Sequence, residues 1–169
     1  MAPPWWGARG DSSSLKRFLL RVKDRAQSNG SRSGQVNVPY LVAVGEAYLA
    51  LARHDTTAAV ARFLALPDSI GGPVWFERLT LARLLAARGR ERQGLAVLDG
   101  EFPFPLRTAS TGIWALERAR LAEKVGQREK ARYWYGYVAN LWRHADPELQ
   151  PSVVEAREAL RRMTAESVR

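Results

Sequence analysis

The chain has 169 residues, no cysteine and a formal net charge of +9. Its length suits one domain with a real core and is short for two. The lack of cysteine excludes disulfides and thiolate metal sites, and no uncharged run approaches the ~20 residues that a membrane span needs. No secretory signal stands out at the N-terminus, so we expect a cytoplasmic protein.

The N-terminal segment, residues 1–38, holds seven Lys or Arg against two Asp. Residues 1–13 contain Pro and Gly without periodicity, which predicts disorder. Residues 13–27 place apolar side chains at spacings of three and four, which predicts a short basic amphipathic helix. The Ser/Gly/Asn-rich residues 28–38 predict a linker. The helix either packs on the next domain or contacts an anionic membrane or a nucleic acid, with nucleic acid the less favoured partner.

Residues 39–169 are predicted to form one all-α helical-repeat domain. Three helix–turn–helix units succeed one another, with turns at His54, Gly89 and Gly126. A last helix at about 148–166 has one apolar stripe and one charged face, as a terminal capping helix requires. No segment alternates with period two for long enough to predict a strand.

Four sets of residues keep one register across the three units, at spacings of 35 and 37 residues. They are the turn residue, a small residue within each first helix, a small residue opening each second helix, and a bulky residue four positions later. Their members are His54, Gly89 and Gly126; Ala47, Ala82 and Ala119; Ala59, Gly94 and Ala131; Phe63, Leu98 and Tyr135. Small residues let two helix backbones approach, and bulky residues wedge between neighbouring pairs.

At these positions the chain resembles the tetratricopeptide repeat family, whose unit has about 34 residues. Gly89 and Gly126 stand at the turn glycine of that family. Ala131 and Tyr135 match its Ala-x-x-x-aromatic step, whereas His54 departs from the pattern at the turn of the first unit. The resemblance implies a solenoid of about three units with a capping helix, acting as a protein–protein interaction scaffold.

The resemblance covers roughly residues 39–147. In addition, the run LWRHADPELQP is similar to the C-terminal ends of repeat regions in large bacterial regulatory proteins. Those regions often follow a kinase or transcription-regulator domain. The chain is therefore either a stand-alone relative or a detached C-terminal region of such a regulator.

The resemblance also implies a partner-binding surface, because the family lines its concave face with fixed positions of each first helix. Carried over by the register, these positions are Tyr48, Phe76, Leu79, Arg83, Arg120 and Lys124. Apolar side chains beside three cations suit a protein or peptide that carries acidic groups or a free carboxylate. The alternative is that the cations are simply solvated. The oligomeric state is left open.

No motif for catalysis, phosphate binding or metal binding is found. We therefore expect no catalytic residue, no cofactor and no metal.

The densest aromatic stretch is residues 133–137, YWYGY. Helical spacing places Tyr135 and Trp142 on a core stripe and Trp134 and Tyr137 on a neighbouring stripe, expected to cover the terminal helix. Stacking of nucleic-acid bases on these rings is the alternative.

Overall fold

The computed structural model describes residues 3–28, 38–66, 75–100 and 109–166. Within these ranges every regular element is helical, which confirms the all-α prediction. The elements are α1 (Pro3–Ala8), α2 (Ser12–Ser28), α3 (Val38–Ala52), α4 (Thr56–Leu64), α5 (Trp75–Ala86), α6 (Glu91–Leu98), α7 (Ala109–Lys124), α8 (Arg128–Leu141), a 3-10 turn (Pro147–Leu149) and α9 (Gln150–Glu166).

The helices form two compact units, Met1–Leu84 and Leu85–Arg169. The boundary between them falls within α5. Most of the predicted linker at 28–38 lies outside the described residues.

The start of the first unit differs from the expectation of disorder, because Pro3–Ala8 is a helix. Proline is tolerated in the first helical turn, where its missing N–H has no intrahelical partner to lose. A Cβ at Gly7 would lie 2.6 Å from Cδ1 of Tyr48, so glycine lets α1 sit directly on α3. Asp11 then caps α2 by accepting a hydrogen bond of 2.9 Å from the Ser14 backbone N–H.

Helix α2 packs on α3 through its apolar face. Leu15 and Leu19 are buried, and a Cβ at Gly45 of α3 would lie 2.7 Å from Leu19 and 3.0 Å from Phe18. Glycine at 45 therefore permits this close approach. Ser12–Ser28 is an amphipathic helix, and its apolar face packs on α3.

Three helix ends share one backbone geometry. His54, Gly89 and Gly126 have φ of 61°, 71° and 78°, all in the left-handed region. Each donates its N–H to the carbonyl three residues earlier, and the next residue bonds the carbonyl five residues before itself, as in a Schellman cap. The bonds are His54 to Leu51 (2.9 Å) and Asp55 to Ala50 (3.0 Å), Gly89 to Ala86 (3.0 Å) and Arg90 to Leu85 (3.0 Å), and Gly126 to Glu123 (3.0 Å) and Gln127 to Ala122 (2.8 Å).

The three sets of helical residues in register are all buried. They are Ala47, Ala82 and Ala119; Ala59, Gly94 and Ala131; and Phe63, Leu98 and Tyr135. Helix α9 continues the first set, since Ala156 follows Ala119 by 37 residues and is also buried, as are Val153 and Ala159 beside it. The terminal helix thus carries the same small-residue pattern as the first helix of each helix–turn–helix pair.

In the second unit, α8 packs between α7 and α9. Trp114 of α7 is buried and donates its indole N–H to the Leu98 carbonyl at 3.2 Å. A Cβ at Gly112 would lie 2.1 Å from the ring of Trp142. Arg128 donates a hydrogen bond to the Met163 carbonyl, which ties the start of α8 to α9.

Candidate partner-binding surface

The six residues expected on a partner-binding face do not all reach the surface. Tyr48 is 1% exposed and Leu79 is 5% exposed, so the assignment of these two to an open face is wrong. The Tyr48 ring packs edge-on against Phe63 with centroids 5.0 Å apart, and its hydroxyl lies 3.2 Å from Oγ1 of Thr80. Helix α1 covers Tyr48, because Gly7 packs directly against the Tyr48 ring.

Two of the expected residues in the first unit are exposed on α5. Phe76 is 44% exposed, and Arg83 is also exposed. They are seven positions apart, which places them on one side of the helix. The structure therefore keeps an apolar and a cationic side chain on this face and removes Leu79 from it.

In the second unit, Arg120 is already engaged within the chain. Its guanidinium makes two hydrogen bonds of 2.6 Å to the Glu155 carboxylate of α9 and lies 3.4 Å from Glu117. The hydrogen bonds from Arg120 hold the pKa of Glu155 below its ordinary value. The acidic group expected from a partner is thus supplied by the terminal helix, whereas Lys124 remains exposed.

A different surface of the second unit combines one exposed ring with two that are partly buried. Tyr133, Trp134 and Tyr137 of α8, here called the aromatic ladder, stand edge to face. The ring centroids of Tyr133 and Trp134 are 4.9 Å apart, and those of Trp134 and Tyr137 are 5.7 Å apart. Tyr133 is 64% exposed. Edge-to-face contacts of this kind stabilise the rings in one arrangement.

The aromatic ladder rests on a network of charges. The guanidinium of Arg118 on α7 lies 4.2 Å from the centroid of the Trp134 ring, a cation–π contact. Asp99 accepts hydrogen bonds from Arg118 at 2.9 Å and from Lys130 at 2.8 Å. Partial burial alone would raise the pKa of Asp99, but these two cations outweigh it and lower that pKa. The Trp134 ring is therefore in contact with the Arg118 guanidinium, which is itself held by its hydrogen bond to Asp99.

The aromatic ladder leads into a concavity of about 520 Å³ at the C-terminal end of α8. Its lining residues are Tyr137, Asn140, Leu141, Arg143, His144 and Ala145. Arg143 and His144 are exposed. The volume falls in the range of about 300–1,000 Å³ found for small ligand sites. Tyr137 belongs to both the ladder and the concavity, so the two form one continuous surface.

From the sequence, Trp134 and Tyr137 were expected to cover the terminal helix. Tyr135 and Trp142 are buried as predicted, but Trp134 lies over Arg118 of α7. The position of Tyr133 could have indicated this surface from the sequence, because it lies about half a turn from the buried side of α8. One exposed aromatic residue is common, but several neighbouring rings on the outer side of a helix form an exposed apolar patch.

One ionisable group is buried in the first unit. Glu77 of α5 is 7% exposed and its Oε2 has no hydrogen-bond partner among the described residues. Burial raises its pKa above the ordinary value. Burial and the charge of Glu77 together raise the pKa of Tyr40 to about 12. A buried carboxylate of this kind costs stability at neutral pH.

Within the described ranges, no three His, Asp or Glu side chains come together as a metal site. No helix in the same ranges has the length and apolar character needed to cross a membrane. Comparisons with protein-family models, curated proteins and solved structures found no match to this chain.

Proposed function

We propose that this protein is a non-catalytic interaction module built from tetratricopeptide-like helix pairs, and that it binds a segment of a protein partner along α8. The three turns with one hydrogen-bond pattern and the buried residues in register support the repeat. They carry no information on the partner, because a fold alone does not define a function.

The aromatic ladder with its adjoining concavity is the observation that carries the binding proposal. Tyrosine, tryptophan and arginine are the residues most enriched among those that dominate binding energies. Here they occur together, with Tyr133 exposed and Trp134 held against Arg118. Rings fixed before binding lose little conformational entropy when a partner docks.

The basic side chains beside the rings favour a partner with an acidic group. Arg143 and His144 line the concavity into which Tyr137 leads. A peptide in extended conformation fits this arrangement when apolar or proline side chains face the rings and a carboxylate follows within a few residues. The partner segment is therefore an extended peptide with an acidic group.

Selection of a displayed random-peptide library on the purified chain tests this. We expect enrichment of peptides that combine apolar or proline residues with Asp or Glu. In fluorescence anisotropy, Tyr137→Ala should weaken binding of a selected peptide by about 30-fold, as loss of a dominant contact does. Arg143→Glu should weaken it by about tenfold through loss of a charge-assisted hydrogen bond.

Arg132→Glu is the matched control. Arg132 is exposed on the same helix but lies roughly a quarter of a turn or more from the aromatic ladder. This variant should bind like the parent chain. If selected peptides bind all three variants equally, α8 is not the binding surface. If Phe76→Ala and Arg83→Glu on α5 abolish binding instead, the face predicted from sequence is the correct one.

A further inference from the structure

Helix α2 has an inner side that packs on α3 and an outer side whose side chains are exposed within the described part of the chain. Leu15 and Leu19 face inward, where Leu19 meets Gly45. The outer residues of the helix are exposed and strongly basic. They are Lys16, Arg17, Arg21, Lys23 and Arg25, with Asp24 as the acidic residue among them.

Leu20 lies in the middle of this basic side and is 61% exposed. Lys16 and Lys23 are four positions before it and three positions after it, so helical geometry places all three side chains on one stripe. Arg17 is three positions before Leu20 and donates a hydrogen bond of 3.2 Å to Ser14. A cluster of cations around a protruding aliphatic side chain is thus part of the folded unit.

We propose that the outer side of α2 binds the surface of a membrane that contains anionic lipids. The cations meet the lipid headgroups, and Leu20 enters the boundary between headgroups and acyl chains. Because Leu15 and Leu19 are held in the core, the helix lies flat with the unit intact and does not insert by unfolding. This surface is on a different unit from the aromatic ladder, so it adds to the peptide binding proposed above.

The exposed leucine is what favours a lipid surface over a nucleic acid. Phosphate backbones are bound by cations and hydrogen-bond donors, and bases are bound by aromatic or arginine stacking. An aliphatic side chain in the middle of the cations contributes nothing to those contacts. At a lipid surface the same side chain gains free energy by leaving water.

Sedimentation of the whole chain with phospholipid vesicles tests the proposal. We expect binding to phosphatidylcholine vesicles with about one-third phosphatidylserine, weak binding to phosphatidylcholine alone, and a steep loss with added salt. Each cation near such a surface contributes about fivefold in affinity. Lys16→Gln with Lys23→Gln should therefore weaken binding by about 25-fold.

The control is Arg157→Gln with Arg161→Gln on α9, which removes two exposed cations and changes the net charge equally. It should bind vesicles nearly as well as the parent chain. Equal losses for the two double variants would show that only net charge matters and would overturn the assignment to α2. Far-UV circular dichroism checks that each variant keeps its helices.

Leu20→Ser separates a lipid surface from a nucleic acid. Since Leu20 is exposed, the change should leave folding intact and weaken vesicle binding by about threefold to tenfold. A labelled single-stranded oligonucleotide is measured in parallel. If the oligonucleotide binds more tightly than the vesicles and Leu20→Ser binds both unchanged, the surface is a polyanion site and the lipid proposal fails.

Discussion

The packing of α7 on α8 can be tested by replacing each of two glycines separately with alanine. Gly112 and Gly136 both lie within helices of the second unit. A Cβ at Gly112 would lie 2.1 Å and 2.3 Å from two carbons of the buried Trp142 ring, whereas a Cβ at Gly136 meets no atom within 4 Å. Carbon atoms in contact normally stay about 3.5–4.0 Å apart, so alanine at 112 requires the indole to move by more than about 1 Å.

The two variants should therefore change stability in opposite directions. Overpacking of a well-packed core costs about 1–3 kcal/mol, and a clash with a buried ring places Gly112→Ala near the upper end. Gly136→Ala avoids any clash and gains about 1 kcal/mol of helix propensity. In a chain of this size about 1 kcal/mol moves Tm by roughly 2–4 °C. We expect a fall of about 5–10 °C for Gly112→Ala and a rise of about 2–4 °C for Gly136→Ala.

Thermal unfolding followed by circular dichroism measures both changes, and urea titration gives the free energies of unfolding independently. The reasoning is refuted if Gly112→Ala raises Tm as Gly136→Ala does. That result would mean that Trp142 does not pack on Gly112.

Further substitutions test three other features of the structure: the helix turns, a buried carboxylate and an ion pair. His54→Gly should stabilise the chain by about 1 kcal/mol, because a non-glycine residue in the left-handed region costs about 1–2 kcal/mol, and Gly126→Ala should destabilise it by a similar amount. Glu77→Gln should raise the free energy of unfolding at pH 7. Because burial raises the pKa of Glu77 in the folded chain, this gain should decrease as the pH falls below that raised pKa. It should be absent below the ordinary glutamate pKa, where the carboxyl group is neutral in the folded and the unfolded chain alike. A double-mutant cycle on Arg120 and Glu155, both more than a third exposed, should give a coupling of about 0.5–1 kcal/mol at neutral pH. This coupling should be lost below the lowered pKa of Glu155, since the charge pair stabilises only while the carboxylate is ionised.

Urea titrations at several pH values check these predictions. A destabilised His54→Gly variant would contradict the shared turn geometry. A gain from Glu77→Gln that persists at pH 3 would mean that burial of charge is not its cause. A coupling that does not change with pH would exclude an ionic contact between Arg120 and Glu155.

Periodicity in the sequence was sufficient to predict most helices and many of the buried positions. Small residues at a spacing of 35 and 37 predicted Ala47, Ala82 and Ala119, and all three are fully buried. Helix α1 was missed because Pro and Gly are normally signs of irregular structure. In this chain Pro3 opens a helix, and Gly7 is needed for its contact with Tyr48.

The candidate surface was harder to predict, because exposure depends on which helices cover one another. Tyr48 is buried since α1 lies over it, and no local pattern reveals that contact. Arg120 is paired with Glu155, 35 residues later in the chain. The rings at 133–137 were visible in the sequence, but local spacing could not place Trp134 over Arg118 of another helix.

Mapping the contact surface by NMR tests the proposed function most directly. A selected acidic peptide is titrated into the ¹⁵N-labelled chain and the amide shifts are followed. Peptide binding along α8 predicts that the largest changes occur at Tyr133, Tyr137, Asn140, Arg143 and His144. Changes centred instead on α5, at Phe76 and Arg83, with α8 unaffected, would contradict it.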